Sequence, residues 1–326
     1  MMATKRFETA FARGASLKDI APDRIAWFVR KTEAERGFKF KGKTSIRDVL
    51  VKLNLIRGKH LLNAALLLFG RDPQRFCRAA VIKCVHYYGS EIEKPIPSYQ
   101  VFGGSLFEQL EHATDFILAK LNRTVGARNL KPSAGIRHEI PAEAIAEIIV
   151  NAVAHRDYNS RASVQASVFA DRVEVSNPGR LPDGLQISDL GKPHNSVPVN
   201  PFIARPLFLA GYIEQIGYGT LKVIKSCEIA HLPAPTFEQR GRQFTVILWR
   251  NRFTDEVLDS LGLSHRQKEG IARVKRIGWI ANLEYRKITG ATRKTASRDL
   301  DDLVEKGVLQ RAGEKRGTRY FLSRKK

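Results

Sequence analysis

Apolar residues recur every three or four positions in some stretches of this chain and every second position in others, and the switches between the two periods mark its elements. Helical spacing runs through residues 19–36 and 45–56 and through the compact run GKHLLNAALLLFG. The β-branched and aromatic stretch AAVIKCVHYYG then predicts a strand. EIEKPIPSYQVFGG is rich in turn residues and predicts a boundary near residue 100. Beyond it, SLFEQLEHATDFILAKL places Leu106, Phe107, Leu110, Ala113, Phe116, Ile117 and Leu121 on one helical face. A second helix is predicted over PAEAIAEIIVNAVAHRDY, with Pro141 at its first position. ASVQASVFADRVEVSNPGRLPDGL reads as two alternating strands around Ala170–Asp171, followed by a Gly/Pro loop. A loop-rich stretch leads to LFLAGYIEQIGYGTLKVIKS, where Gly217 and Gly219 precede a helix, and QFTVILW closes the middle of the chain as a strand.

After the connector RNRFTDEVLDSLGLS the pattern becomes mostly helical. Ser264 is placed to cap RQKEGIARVKRI, NLEYRKIT ends at Gly290, and Thr292 is placed to cap RKTASRDLDDLVEKG. VLQRAGEKRGTRYFLS then alternates across a Gly-punctuated turn, as a hairpin does. Three helices and a basic hairpin give the order of a winged helix-turn-helix. The third helix would present Arg293, Lys294, Ser297 and Arg298 to double-stranded DNA, with Lys315, Arg316 and Arg319 of the hairpin reaching the neighbouring backbone. The same elements also suit a protein-interaction domain whose basic face is merely solvated.

Charge sharpens that choice. The 326 residues carry 55 Lys/Arg against 33 Asp/Glu, a net +22, which favours a polyanionic partner. Residues 261–326 hold 18 of the Lys/Arg and 7 of the Asp/Glu, so half of the excess lies in a fifth of the chain. No apolar run reaches membrane-spanning length, and the basic N-terminus lacks a signal-peptide core, so an ordinary chain start and no membrane partner are expected. Cys77, Cys84 and Cys227 form no CxxC pair, which fits the cytoplasm without disulfides or a zinc site.

GFKFKGKTS at residues 37–45 satisfies the phosphate-loop pattern GxxxxGK[ST]. That pattern works only between a buried strand and a helix. Here a helical pattern precedes it and Phe38, Lys39, Phe40 and Lys41 fill the loop, so a basic connector capped by Thr44 or Ser45 is expected instead. His155-Arg156-Asp157 spells a kinase HRD triplet without the rest of a kinase, and is read as a structural helix end.

On the middle helix Glu143, Glu147, Asn151 and His155 recur every four residues and share a face. Together with the following hairpin, Asn177-Pro178-Gly179 and GYGTLKVI, this order resembles the GHKL-type (gyrase, histidine kinase, MutL) ATP-binding domain of bacterial transcriptional regulators labelled RecG-like and helicase-related. The resemblance implies an α+β chain with a Bergerat two-layer sandwich. It implies ATP and Mg2+ as cofactors, Asn151 on the magnesium, and Glu147 orienting or deprotonating water. Asn177 and Gly179 would form the adenine loop, and Gly217 and Gly219 the phosphate turn; Asn195, Asn200 and Arg205 would fall in a lid. Asn177 replaces the family's adenine-binding Asp and Leu181 its second Gly, so binding is expected and turnover slow or nil. LLNAALLLFGRDPQRF resembles the end of a Schlafen-type AlbA-like domain, truncated at its start. The expected parts are therefore 1–100, 101–252 and 262–326. The function they imply is a DNA-binding transcriptional regulator whose nucleotide occupancy rearranges the winged helices. An ATPase acting on DNA and a degenerate dimerisation scaffold, with a homodimer as its assembly, are the rivals.

Overall fold

The computed structural model of the chain describes residues 6–40, 44–125, 136–182, 184–193, 197–214, 218–230, 232–250, 253, 255–313 and 317–323. The N-terminal third supplies α1 (Pro22–Arg36), α2 (Ile46–Lys52), the paired short strands β1 (Ile56–Arg57) and β2 (His60–Leu61), and α3 (Asn63–Phe69). It continues with β3 (Ile82–His86) and β4 (Ser98–Phe102). Next come α4 (Leu106–Lys120), the hairpin β5 (Arg123–Val125) and β6 (Ile136–His138), and α5 (Ala142–Ala154). The strands β7 (Val164–Val168) and β8 (Arg172–Pro178) are followed by α6 (Pro201–Leu209) and α7 (Gly219–Ile229), then β9 (Thr236–Arg240) and β10 (Gln243–Trp249).

Six of these strands form one mixed sheet in the order β4-β3-β7-β8-β10-β9, with β3 and β7 parallel and every other pair antiparallel. α4 and α5 pack on the sheet, and α7 packs against α5. The sheet alternates as half-buried strands do: Val173, Val175 and Asn177 of β8 are buried and lie opposite Leu248, Val246 and Phe244 of β10. The chain is thus mixed α+β around a central sheet.

The division expected near residue 100 is not where the packing changes. Residue 100 lies inside β4, and β3, from before it, pairs with β7, from after it. One hydrophobic core runs from Ala12 to Leu248 and includes Leu61, Leu66 and Phe69 as well as Ile145, Ile149 and Val175. The first hundred residues therefore complete the sheet that follows them. Arg24 of α1 pairs with Glu108 of α4 at 2.7 Å. Arg36 donates to the carbonyls of Phe208 and Ile213 and pairs with Glu214 at 2.9 Å. At the start of α6, the fully buried Glu8 accepts the N–H groups of Phe202 and Ile203, capping a helix 194 residues away in sequence. Burial lifts the Glu8 carboxyl to about 7, against the pull of those two hydrogen bonds.

A second core begins at Phe253. α8 (Asp255–Ser260), α9 (His265–Ile277), α10 (Asn282–Thr289) and α11 (Arg293–Glu305) precede the hairpin β11 (Leu309–Ala312) and β12 (Arg319–Leu322). Phe253, Leu258 and Leu263 of the expected connector belong to this core. Ser264 and Gln267 form a capping box on α9, Thr292 caps α11, and Gly290 ends α10 at φ 67°. Ile280 bridges Tyr320, adding a third short strand position to the hairpin. Gly270, in the middle of α9, makes room for the buried ring of Tyr285: a Cβ there would collide with Cε2 and lie 2.8 Å from Cδ2. The Tyr285 hydroxyl donates to the buried Asp299, which also accepts from Arg266 Nε.

Candidate functional site

α5 carries its apolar residues toward α4 and the sheet, which turns Glu147 and Asn151 toward α7. The cleft they border holds about 1170 Å³ of empty space, including its open mouth, which is room for a nucleotide-sized ligand. Glu147, Asn151, Asn177 and Gly219 all line it, together with His155, Arg180, Thr220 and Glu214. Its apolar wall is made by Val175, Leu181, Phe237, Phe244 and Val246.

Asn151 Nδ2 donates to Glu147 Oε1 at 3.0 Å, which leaves Asn151 Oδ1, without a hydrogen-bond partner among the described residues, as a hard-oxygen ligand. Glu147 is only 8% exposed. Burial raises its pKa; the Asn151 hydrogen bond and the Lys222 ammonium pull it back down, and the Glu214 carboxylate adds to the rise. A raised pKa makes the carboxylate a stronger base than an exposed one. Opposite it stands the N-terminus of the 11-residue helix α7, whose first turn no side chain caps among the described residues. The backbone comes so close that a Cβ on Gly219 would run into Glu147 Oε1 and lie 3.2 Å from its Cδ. Thr220 Oγ1 is buried there without a hydrogen-bond partner among the described residues.

These features fit a magnesium triphosphate. An uncapped helix N-terminus attracts phosphate oxygens, Thr220 offers an unused hydroxyl, and Asn151 Oδ1 would serve the cation. Among the described residues no cluster of three His, Cys, Asp or Glu side chains stands ready to hold a metal by itself, so phosphate oxygens would supply the remaining ligands.

At the far end of the cleft Asn177 is 4% exposed. Gly179 stands against the end of α5, and a Cβ there would lie 3.0 Å from His155 O and from Asn177 Nδ2. Its N–H donates to Arg242 O, while Gln239 Nε2 donates to its carbonyl and Gln239 Oε1 accepts from Leu181 N. Gly179 therefore seats the loop after β8. Gly217 and the lid residue Asn195 lie outside the described residues. Asn200 is no lid residue: it is buried and donates to Ala154 O and Arg156 O, closing the end of α5. In the HRD triplet Arg156, 1% exposed, donates to Ala79 O and Ala162 O and lies over the Tyr158 ring, as its structural reading requires. The phosphate-loop pattern follows α1 and its left-handed cap Gly37, not a strand, and Ser45 with Asp48 caps α2; Gly42 and Lys43 lie outside the described residues. Sequence reasoning missed Thr220, Lys222 and the paired rings Phe237 and Phe244, and it placed His155 on the polar face of α5 without assigning it to the cleft. Thr220 had a visible signal, since it directly follows the second Gly of GYG.

In the C-terminal unit Arg293, Lys294 and Arg298 are exposed and form no ion pair among the described residues. Ser297 Oγ accepts from Asn282 Nδ2 at 3.0 Å, which commits it to joining α10 and α11. Arg319 lies 4.1 Å over the Trp279 ring, and Lys315 and Arg316 lie outside the described residues. No helix among the described residues is long and apolar enough to cross a membrane.

No curated protein matches the chain. Among solved structures it is similar to the crystal structure of the DIP2311 protein from Corynebacterium diphtheriae, with a TM-score of 0.57 and 16% identity over 98% of this chain and 70% of that one. At that identity the likeness concerns the fold. Residues 162–248 match the family described as "Putative ATP-dependent DNA helicase recG C-terminal". The match holds Asn177, Gly179, Gly219 and Thr220, while Glu147 and Asn151 precede it on α5. This stretch is thereby related to an ATPase-type module.

Proposed function

We propose that this protein binds a magnesium nucleoside triphosphate, an adenine nucleotide in the first instance, in the cleft between α5 and α7, and that residues 262–326 contact duplex DNA as a winged helix. The observation that carries the first part is the meeting of Glu147, Asn151 and the unpartnered Thr220 hydroxyl at the uncapped N-terminus of α7. Asn151 holds the cation through Oδ1. Thr220 and the first turn of α7 bind phosphate, and Glu147 orients water or takes its proton. Thr220 with the first turn of α7 on one side and Asn151 of α5 on the other would both hold the bound group, and that shared hold is the route by which occupancy would reorient the C-terminal unit as a transcriptional switch. Calorimetry with ATP and magnesium should give binding heat that Asn151→Ala removes; silence from both proteins at millimolar ATP would sink the reading.

The position of Glu147, hydrogen-bonded to Asn151 and set against the first turn of α7, favours a second reading, a slow ATPase acting on DNA. Glu147→Gln should then keep nucleotide binding and lose phosphate release, because an amide cannot take a proton.

A further inference from the structure

The cleft has two chemically different ends. One gathers Glu147, Glu214, Asn151 and the N-terminus of α7, the groups suited to phosphate and cation. The other is an apolar slot between α5 and the inner face of the sheet, where Phe244 is the cross-strand partner of Asn177 and Phe237 stacks on Phe244 with centroids 6.4 Å apart. A flat heteroaromatic ring suits an apolar slot with few polar groups. Three polar side chains border this end, the Asn177 amide, the His155 ring and the exposed Arg180 guanidinium, and none of them forms a side-chain hydrogen bond with a described residue. The Asn177 amide, without a side-chain partner among the described residues and open to the cleft, is available to a ligand.

We propose that Asn177 reads the six-position of a purine and, being an amide, takes either a 6-amino or a 6-oxo group, so that the cleft binds guanine and hypoxanthine nucleotides as well as adenine nucleotides. This rests on the nucleotide-binding reading above. The Asn177 oxygen accepts from an amino group and its NH2 donates to an oxo group, whereas a carboxylate could serve only the first. Both carboxylates that line the cleft, Glu147 and Glu214, stand at the phosphate end, close enough to each other to interact. Burial pulls the His155 pKa down, which favours the neutral ring with its one donor and one acceptor. No side chain at the base end is an acceptor only, and the Arg180 guanidinium only donates, so no side chain there repels a 6-oxo group.

The test is calorimetry of the full chain with the magnesium salts of ATP, GTP, ITP and purine riboside triphosphate, which lacks a six-substituent. ATP, GTP and ITP should bind within about ten-fold of one another, and the unsubstituted purine at least five-fold more weakly. Asn177→Asp should favour ATP over GTP by at least thirty-fold; an unchanged ratio in a folded variant overturns the proposal. If that variant fails to fold, the wild-type series decides. Discrimination above a hundred-fold between ATP and GTP, or full-strength binding of the unsubstituted purine, overturns it as well. Binding of ATP alone refutes this inference and leaves the nucleotide-binding reading standing, whereas no binding by any triphosphate refutes both.

Discussion

α5 and α11 are both 13-residue helices with one apolar and one polar face, yet they put their polar groups in opposite environments. On α5 the polar stripe is closed in by α7: Glu147 is buried, its pKa is displaced, and it shares a hydrogen bond with Asn151. On α11 the Arg293, Lys294 and Arg298 side chains stand in water without ion partners among the described residues. A few polar groups in a low-dielectric cleft act through geometry, and single changes there are costly. Exposed cations act through number and are weakened by salt.

The largest effect expected from that contrast is on DNA binding. A chain ending at Leu261 should lose at least a hundred-fold in affinity for duplex DNA at low salt while keeping nucleotide affinity within two-fold. Equal DNA affinity in a two-salt titration of both proteins would mean that the basic unit serves protein contacts.

Glu8 extends the buried side of the comparison. Its folded pKa of about 7 lies above that of an unfolded carboxylate, so its contribution to stability is fully present below about pH 4.5 and is lost as pH rises through 7. Glu8→Gln should remove that dependence. The stability of the variant relative to wild type should climb by roughly 3 kcal/mol between pH 4.5 and pH 8 in denaturant titrations. A flat difference would show that the carboxyl is solvated.

Within the exposed unit the prediction turns on packing. Gly270→Ala should cost about 1–3 kcal/mol by pushing a methyl group into the Tyr285 ring. Chemical denaturation followed by Trp279 fluorescence would measure it, with the nucleotide heat unchanged. A silent substitution would mean that α9 shifts freely over α10.

Comparable in size are the single-cation effects. Arg298→Ala should weaken binding by roughly 1–3 kcal/mol and relax sequence preference, as removal of a base-reading Arg does. Arg319→Ala should weaken all sequences alike, because its guanidinium already lies on Trp279. Competition binding with scrambled duplexes separates the two, and identical profiles for both variants would remove α11 from base reading.

Much of this was legible in the sequence where a residue's neighbours lie within one turn. The four-residue recurrence of Glu147 and Asn151, the caps Ser264 and Thr292, and the alternation of β8 are local facts, and the structure keeps them. β4 was read as a turn-rich boundary because SYQVF, on the sheet edge with three exposed residues, shows no alternation. α6 was read as loop because Pro206 interrupts it and its start is capped by Glu8, far away in sequence. Asn200 and Thr220 have roles fixed by the ends of α5 and α7, and Gly270 by a ring on another helix. No local period encodes such meetings.

The pairing of β3 with β7 and the reach of Glu8 to α6 also bear on how the protein is made. A ribosome delivers the Leu61–Phe69 apolar run roughly a hundred residues before β7 emerges, and later still the backbone that Glu8 will cap. During that interval the edge of β3 and the face of α3 have no lasting partner, the condition in which chains associate with one another or with chaperones. A fragment ending near residue 100 is a trapped form of that nascent state and should be recovered as aggregate, whereas one ending after β10 has every strand of the sheet.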